Sequence, residues 1–145
     1  MLVFENTQDF MLSARVTMDF KGTFDAGVLV VYQSDTSWAK LCFEYSPNQD
    51  PMVVSVVNKG SSDDCNSVFI DGNSVYLRVS RINTGFAFHF SNDAKLWQMV
   101  RAFALEPGNA KVGFLVQAPM GESCRAEFSE IAFEHQTLSD IRSGL

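Results

Sequence analysis

The chain has 145 residues, a net charge of −6 at neutral pH and a pI near 4.7. That length suits a single domain spanning 1–145, able to bury about two-thirds of the surface its unfolded form exposes. The acidic balance leaves no basic footprint for nucleic acid or an anionic membrane, so neither partner is expected, and oligomeric state stays open.

In chain order, short apolar-alternating runs follow one another from the start. A brief one at Leu2 to Glu5 precedes runs at Leu12 to Phe20, Gly27 to Gln33, Ser37 to Tyr45, Met52 to Asn58, Ser67 to Ile70, Val75 to Ile82, Phe86 to Phe90, Leu96 to Ala104, Val112 to Gln117 and Arg125 to Glu134. Period-two alternation with abundant phenylalanine reads as strand throughout. Asp71-Gly72-Asn73, Asn83-Thr84-Gly85, Ser91-Asn92-Asp93, Pro107-Gly108-Asn109 and Met120-Gly121 supply the turn chemistry between them. Ten or so strands without helices must stack as two sheets or close as a barrel. Faces such as Phe86, Phe88, Phe90 against Ala87 and His89 favour a sandwich wetted on its outside. Near the end, Thr137-Leu138-Ser139-Asp140 has the spacing of a helix cap and Gly144 that of a helix stop, so a short C-terminal helical turn is expected.

The three cysteines, Cys42, Cys65 and Cys124, are an odd number without metal-site spacing and read as buried or half-buried thiols. His89 and His135 lie far apart and form no ligand pair. No cofactor or metal is expected, a structural calcium near Asp63, Asp64 and Asp71 being the low-ranked alternative. MLVFENTQDF lacks the basic flank and long apolar run of a signal peptide, which points to a cytoplasmic location.

Several stretches together, AGVLVVYQSDTSWAKLCFEY, VVSVVNKGSSDD, YLRVSR, FHFSNDAKLWQMVR, KVGFLVQAP and FSEIAF, give the chain its likeness to a known family. It resembles the "regulation of enolase protein"-like domains, concanavalin A-like jelly rolls related to the C-terminal β-sandwich of arabinosidase/xylosidase enzymes. The resemblance implies an all-β jelly-roll sandwich of two antiparallel sheets. It departs from the usual pattern at Asp64-Cys65, where a tryptophan is customary, and at Asn92-Asp93-Ala94, where Asp-Gly is customary.

The residues themselves single out SWAKLCFEY. Alternation puts Ala39, Leu41, Phe43 and Tyr45 on one face and Trp38, Lys40, Cys42 and Glu44 on the other. An aromatic ring among charged groups suits a sugar, the ring stacking on a pyranose while the charges bond hydroxyls. If neighbouring strands align, Ser55, Arg78, His89 and Gln117, with Gln98, share that face and complete a ligand-binding set. A solvated sheet with cross-strand ion pairs would show the same pattern. Lys40 and Glu44 lie ~13 Å apart along the strand. Each is therefore expected to find a partner across the sheet: an arginine for Glu44, Arg78 first and Arg81 second, and an acidic or amide group for Lys40. Trp38 is expected to be partly exposed, and Trp97, like Phe86, Phe88, Phe114, Phe128 and Phe133, to fill the core.

Catalytic pairing is weakly encoded, because Glu127 and Glu130 sit three apart and a regular strand sends them to opposite faces. No catalytic residue is therefore assigned. The expectation is a non-catalytic sandwich that binds carbohydrate or a glycan-like ligand on a concave sheet. The alternative is a cytosolic regulatory domain that docks on a protein partner such as a metabolic enzyme, and a glycoside hydrolase ranks third.

Overall fold

The computed structural model describes residues 1–145 and contains eleven strands and no helix. They are β1 (Leu2–Asn6), β2 (Phe10–Asp19), β3 (Ala26–Ser34), β4 (Ser37–Tyr45), β5 (Pro51–Lys59), β6 (Ser62–Phe69), β7 (Ser74–Ile82), β8 (Gly85–Ser91), β9 (Gln98–Ala104), β10 (Ala110–Gln117) and β11 (Arg125–Glu134). A six-stranded sheet in the order β1-β10-β3-β4-β5-β6 packs on a five-stranded sheet in the order β11-β2-β7-β8-β9. All pairings are antiparallel. The expected two-sheet sandwich is what the chain builds. No helix is long and apolar enough to cross a membrane.

Alternation sends one side of each central strand inward. From β2 come Phe10, Leu12, Ala14, Val16 and Met18, from β7 and β8 Leu77, Val79, Phe86, Phe88 and Phe90, and from the facing sheet Leu29, Val31, Ala39, Leu41, Phe43, Val53 and Val57. Phe114, Phe128 and Phe133 pack against this core as expected. Gly27 marks a close approach: a Cβ there would lie 2.5 Å from Val16 Cγ1 and 2.9 Å from Met18 Sδ, so the missing side chain lets the two sheets close. At the β6 and β9 edges, Arg101 spans the sheets, pairing with the Asp63 carboxylate at 2.8 Å and donating to the Asp63 carbonyl at 3.0 Å.

Four expectations about elements need correction. The polar stretch Ser62-Asp63-Asp64, outside the run expected at Ser67 to Ile70, opens β6 and pairs with Asn58, Val57 and Val56 of β5, beyond a bulge at Val53/Val54. Leu96 and Trp97 lie before β9, in a loop braced by Asp93, whose Oδ1 accepts from the amides of Lys95 and Leu96 at 2.8 and 2.9 Å. Trp97 is absent from the core and sits outside the five-stranded sheet, with the Arg78 guanidinium 4.2 Å from its ring centroid. The C-terminal helical turn does not form. Thr137 donates its hydroxyl to Asp9 instead of capping a helix, and Gly144, at φ +76°, turns the chain so that the amides of Gly144 and Leu145 both reach the Asp140 carbonyl. One closed turn satisfies the carbonyl a helix would have used to propagate.

Candidate functional site

The outer face of the six-stranded sheet is built from apolar residues that the inner core does not claim. The β3 and β4 register pairs Ala26 with Glu44, Val28 with Cys42, Val30 with Lys40 and Tyr32 with Trp38, and all of these point outward. Ala26, Val28, Val30, Cys42, Met52 and Val54 nevertheless form a second buried cluster, edged by Val3, Tyr32 and Leu115. On an outward face such burial requires cover, and the long polar side chains lie among these residues. Lys40 donates to Gln117 Oε1 at 3.0 Å, and its ammonium lies 5.4 Å from the Trp38 ring. Gln117 in turn donates to the Phe24 carbonyl at 3.2 Å. Lys40 therefore meets an amide, but on β10, two strands away, because its direct neighbour on β3 is the apolar Val30.

Both aromatic rings at the rim are held by one residue. Tyr32 donates its hydroxyl to the Asp35 carboxylate at 2.6 Å, and the Trp38 indole N–H donates to the Asp35 carbonyl at 3.2 Å. Together with Met1, Val30, Lys40 and Leu115, the two rings line a hollow of about 260 Å³. Glu44 has neither a hydrogen-bond partner nor an ion pair, contrary to the arginine expected for it. Burial pushes its carboxyl up to about 7, with Asp64 adding to the rise and Lys40 opposing it. The neighbouring Cys42 thiol is pushed to about 12, again mainly by burial, and is no nucleophile at neutral pH.

The remaining expected partners lie elsewhere. Ser55 pairs with Leu41 and faces the sandwich interior, where its hydroxyl has no partner, because it falls one residue out of phase with the outward set. Arg78 and His89 belong to β7 and β8, and Gln98 to β9, all in the opposite sheet. Alternation fixes a residue's face within its strand but not which sheet the strand joins. On their own outer face, Arg78 donates to the Gly144 carbonyl at 2.7 Å, and His89 donates from Nε2 to the Ile141 carbonyl at 2.7 Å. Arg81 is spent on the carbonyls of Asn6 and Asn83.

Beside Arg78 opens a cleft of about 270 Å³ that the sequence did not single out, lined by Ser13, Tyr76, Trp97, Glu130 and Glu134 among others. A bulge between Ser129 and Ala132 aims Glu130 at Tyr76, whose hydroxyl donates to it at 2.8 Å, and at Arg15, 3.5 Å away. The departure from the alternation at Glu130 hid this cleft. A hollow of about 480 Å³ between the loops at Gln33–Ser37, Lys59–Gly60 and Glu106–Asn109 is lined by polar residues and glycines, with Pro107 its one apolar ring. Gln33 there bonds the Glu106 carbonyl and accepts from Ser37, which makes it a braced loop junction. No three His, Cys, Asp or Glu side chains gather to hold a metal.

Comparison with known proteins places these faces in context. A functionally unknown protein from Saccharomyces cerevisiae superimposes with a TM-score of 0.85 at 25% identity, over 93% of this chain and 74% of that one. The GH43 BlXynB protein from Bacillus licheniformis gives 0.74 at 13% identity, over 90% of this chain but only 28% of the enzyme. An alginate lyase from an Alteromonas species gives 0.63 at 11% identity, over 90% and 73%. The last two share the fold alone. Among curated proteins nothing matches the chain. The sequence profile of one family matches residues 1–136, and the chain belongs to that family, described as "Protein of unknown function (DUF1349)".

Proposed function

We propose that this chain is a non-catalytic β-sandwich that binds carbohydrate on the outer face of its six-stranded sheet, around Trp38, Tyr32, Lys40, Glu44 and Gln117. One observation carries the reading: the polar groups and rings of this face are positioned in advance over an apolar floor. Asp35 fixes both rings, and Gln117 fixes the Lys40 ammonium. Groups already immobilised lose little further freedom on binding, which favours a weakly held, hydroxylated ligand. The Glu44 carboxyl, free of any partner and near half-protonated at pH 7, can both donate to and accept from hydroxyls.

Titration calorimetry with xylo-, arabino- and gluco-oligosaccharides tests the reading. Binding that Trp38→Ala weakens at least tenfold is the expected result. No binding below millimolar, or binding indifferent to Trp38→Ala, removes it. A protein partner docked on the same face is the second reading, favoured by the apolar strip of Met1, Val30, Tyr32, Trp38 and Leu115. A stoichiometric partner from native extract that loses its grip on Trp38→Ala would support it. Turnover of a glycoside that Glu44→Gln abolishes would make the chain a hydrolase instead.

A further inference from the structure

Five buried side-chain polar atoms in the protein lack a partner, and three of them, Arg78 Nε, Ser80 Oγ and His89 Nδ1, lie on the outer face of the five-stranded sheet. Ser80 and His89 are fully buried there and Arg78 is 6% exposed, although all three point away from the sandwich core. The segment from Thr137 to Leu145 lies over Arg78 and His89. Thr137 is tied to Asp9, the Ile141 carbonyl sits on His89, and Gly144 sits on Arg78 and Trp97. Native proteins leave few buried polar atoms unpaired, and three together on one floor call for an explanation.

The cover meets the floor poorly. It offers two backbone carbonyls to Arg78 and His89 and leaves one donor (Arg78 Nε), one acceptor (His89 Nδ1 in the tautomer that donates from Nε2) and one hydroxyl (Ser80) unserved. A carboxylate could not serve this mixture, since it cannot donate to the imidazole nitrogen. A hydroxyl can do both. The adjoining cleft continues the same chemistry with Ser13, Tyr76 and Glu134 beside the Trp97 ring. Two of the five non-glycine residues with left-handed backbones, Ala94 and Glu130, also line this cleft. Such strain gathers at functional sites. The family match ends at residue 136, so the floor belongs to the shared domain and its cover lies beyond the match.

We infer that Arg78, Ser80 and His89, with Trp97 and the cleft beside them, form a second binding site for a neutral sugar, and that residues 137–145 occupy it in cis as a displaceable strap. The site is independent of the Trp38 face and on the opposite side of the molecule. The Ile141 and Gly144 carbonyls stand where ligand hydroxyl oxygens would sit. Sugar binding and strap docking are therefore mutually exclusive, and loosening the strap raises affinity.

Gly144→Val loosens it, since a side chain at 144 meets Trp97 Cβ at 2.7 Å on a backbone at φ +76°. Leu138→Ser is the second opener, removing an anchor that is only 6% exposed. Release is read from tryptic cleavage at Arg142. Affinity is measured by calorimetry for xylose, arabinose, glucose, galactose and their short oligomers. At least one sugar should bind the opened chains tenfold or more tightly than the original chain. The gain should vanish on adding Arg78→Gln or His89→Asn and survive Trp38→Ala. The inference fails if neither opener speeds cleavage at Arg142, if the opened chains bind no sugar more tightly, or if Trp38→Ala removes the gain.

Discussion

At the scale of the residue, Glu44 shows how a position on a sheet sets chemistry. Its carboxyl ordinarily titrates near 4.5, and burial lifts it to about 7 in the folded chain. The folded state thus holds the proton more tightly than the unfolded one. Glu44 costs nothing below pH 4.5 and destabilises progressively as the pH rises through 7. Glu44→Gln should stabilise the fold by about 1 kcal/mol at pH 8, discounted for the side chain's partial exposure, and by nothing at pH 4. Urea denaturation at the two pH values reads this directly. Equal midpoint shifts at both would show that Glu44 is unperturbed. Ala94 is a second case. It occupies φ +60°, a left-handed backbone that costs an alanine about 1 kcal/mol or more. Ala94→Gly exchanges that strain for the extra freedom of glycine in the unfolded chain, and a net gain of about 0.5 kcal/mol is expected. A lowered denaturation midpoint would contradict it.

At the scale of the element, strands were legible and their partners were not. β4 and β11 fall where the alternation and turn residues place them, and most of the others agree within two residues. Period two is a local signal and survives any arrangement of strands. The site was legible only in part for the same reason. Trp38, Lys40 and Glu44 share one strand and Gln117 reaches Lys40, but Arg78 and His89 needed knowledge of which sheet β7 and β8 join. The strap over them was unreadable as well, because its contacts are made by backbone carbonyls that any residue carries. Gly27, by contrast, announces a close approach. Its absent Cβ admits Val16 and Met18, both almost fully buried and without room to retreat. Gly27→Ala should cost about 1 to 3 kcal/mol by overpacking, measured as the fall in unfolding free energy. A cost below 0.5 kcal/mol, given typical errors of about that size, would mean the sheets can part without penalty.

At the scale of the whole molecule, two outer faces are furnished differently by one sandwich. The six-stranded sheet keeps its face open, with two rings and the Lys40 ammonium fixed over a small apolar cluster. The five-stranded sheet has its polar face closed by the last residues of the chain. Shared fold with a GH43 protein and an alginate lyase does not choose between these faces, since sandwiches of this kind serve many purposes. The indole N–H signals of the two tryptophans do choose, because Trp38 marks one face and Trp97 the other. In a nitrogen-15 NMR titration with xylo- and gluco-oligosaccharides, sugar binding on the open face predicts a saturable shift of the Trp38 indole while that of Trp97, behind its strap, stays put. A Trp38 signal that does not move at saturating sugar, whether or not Trp97 moves, would contradict it.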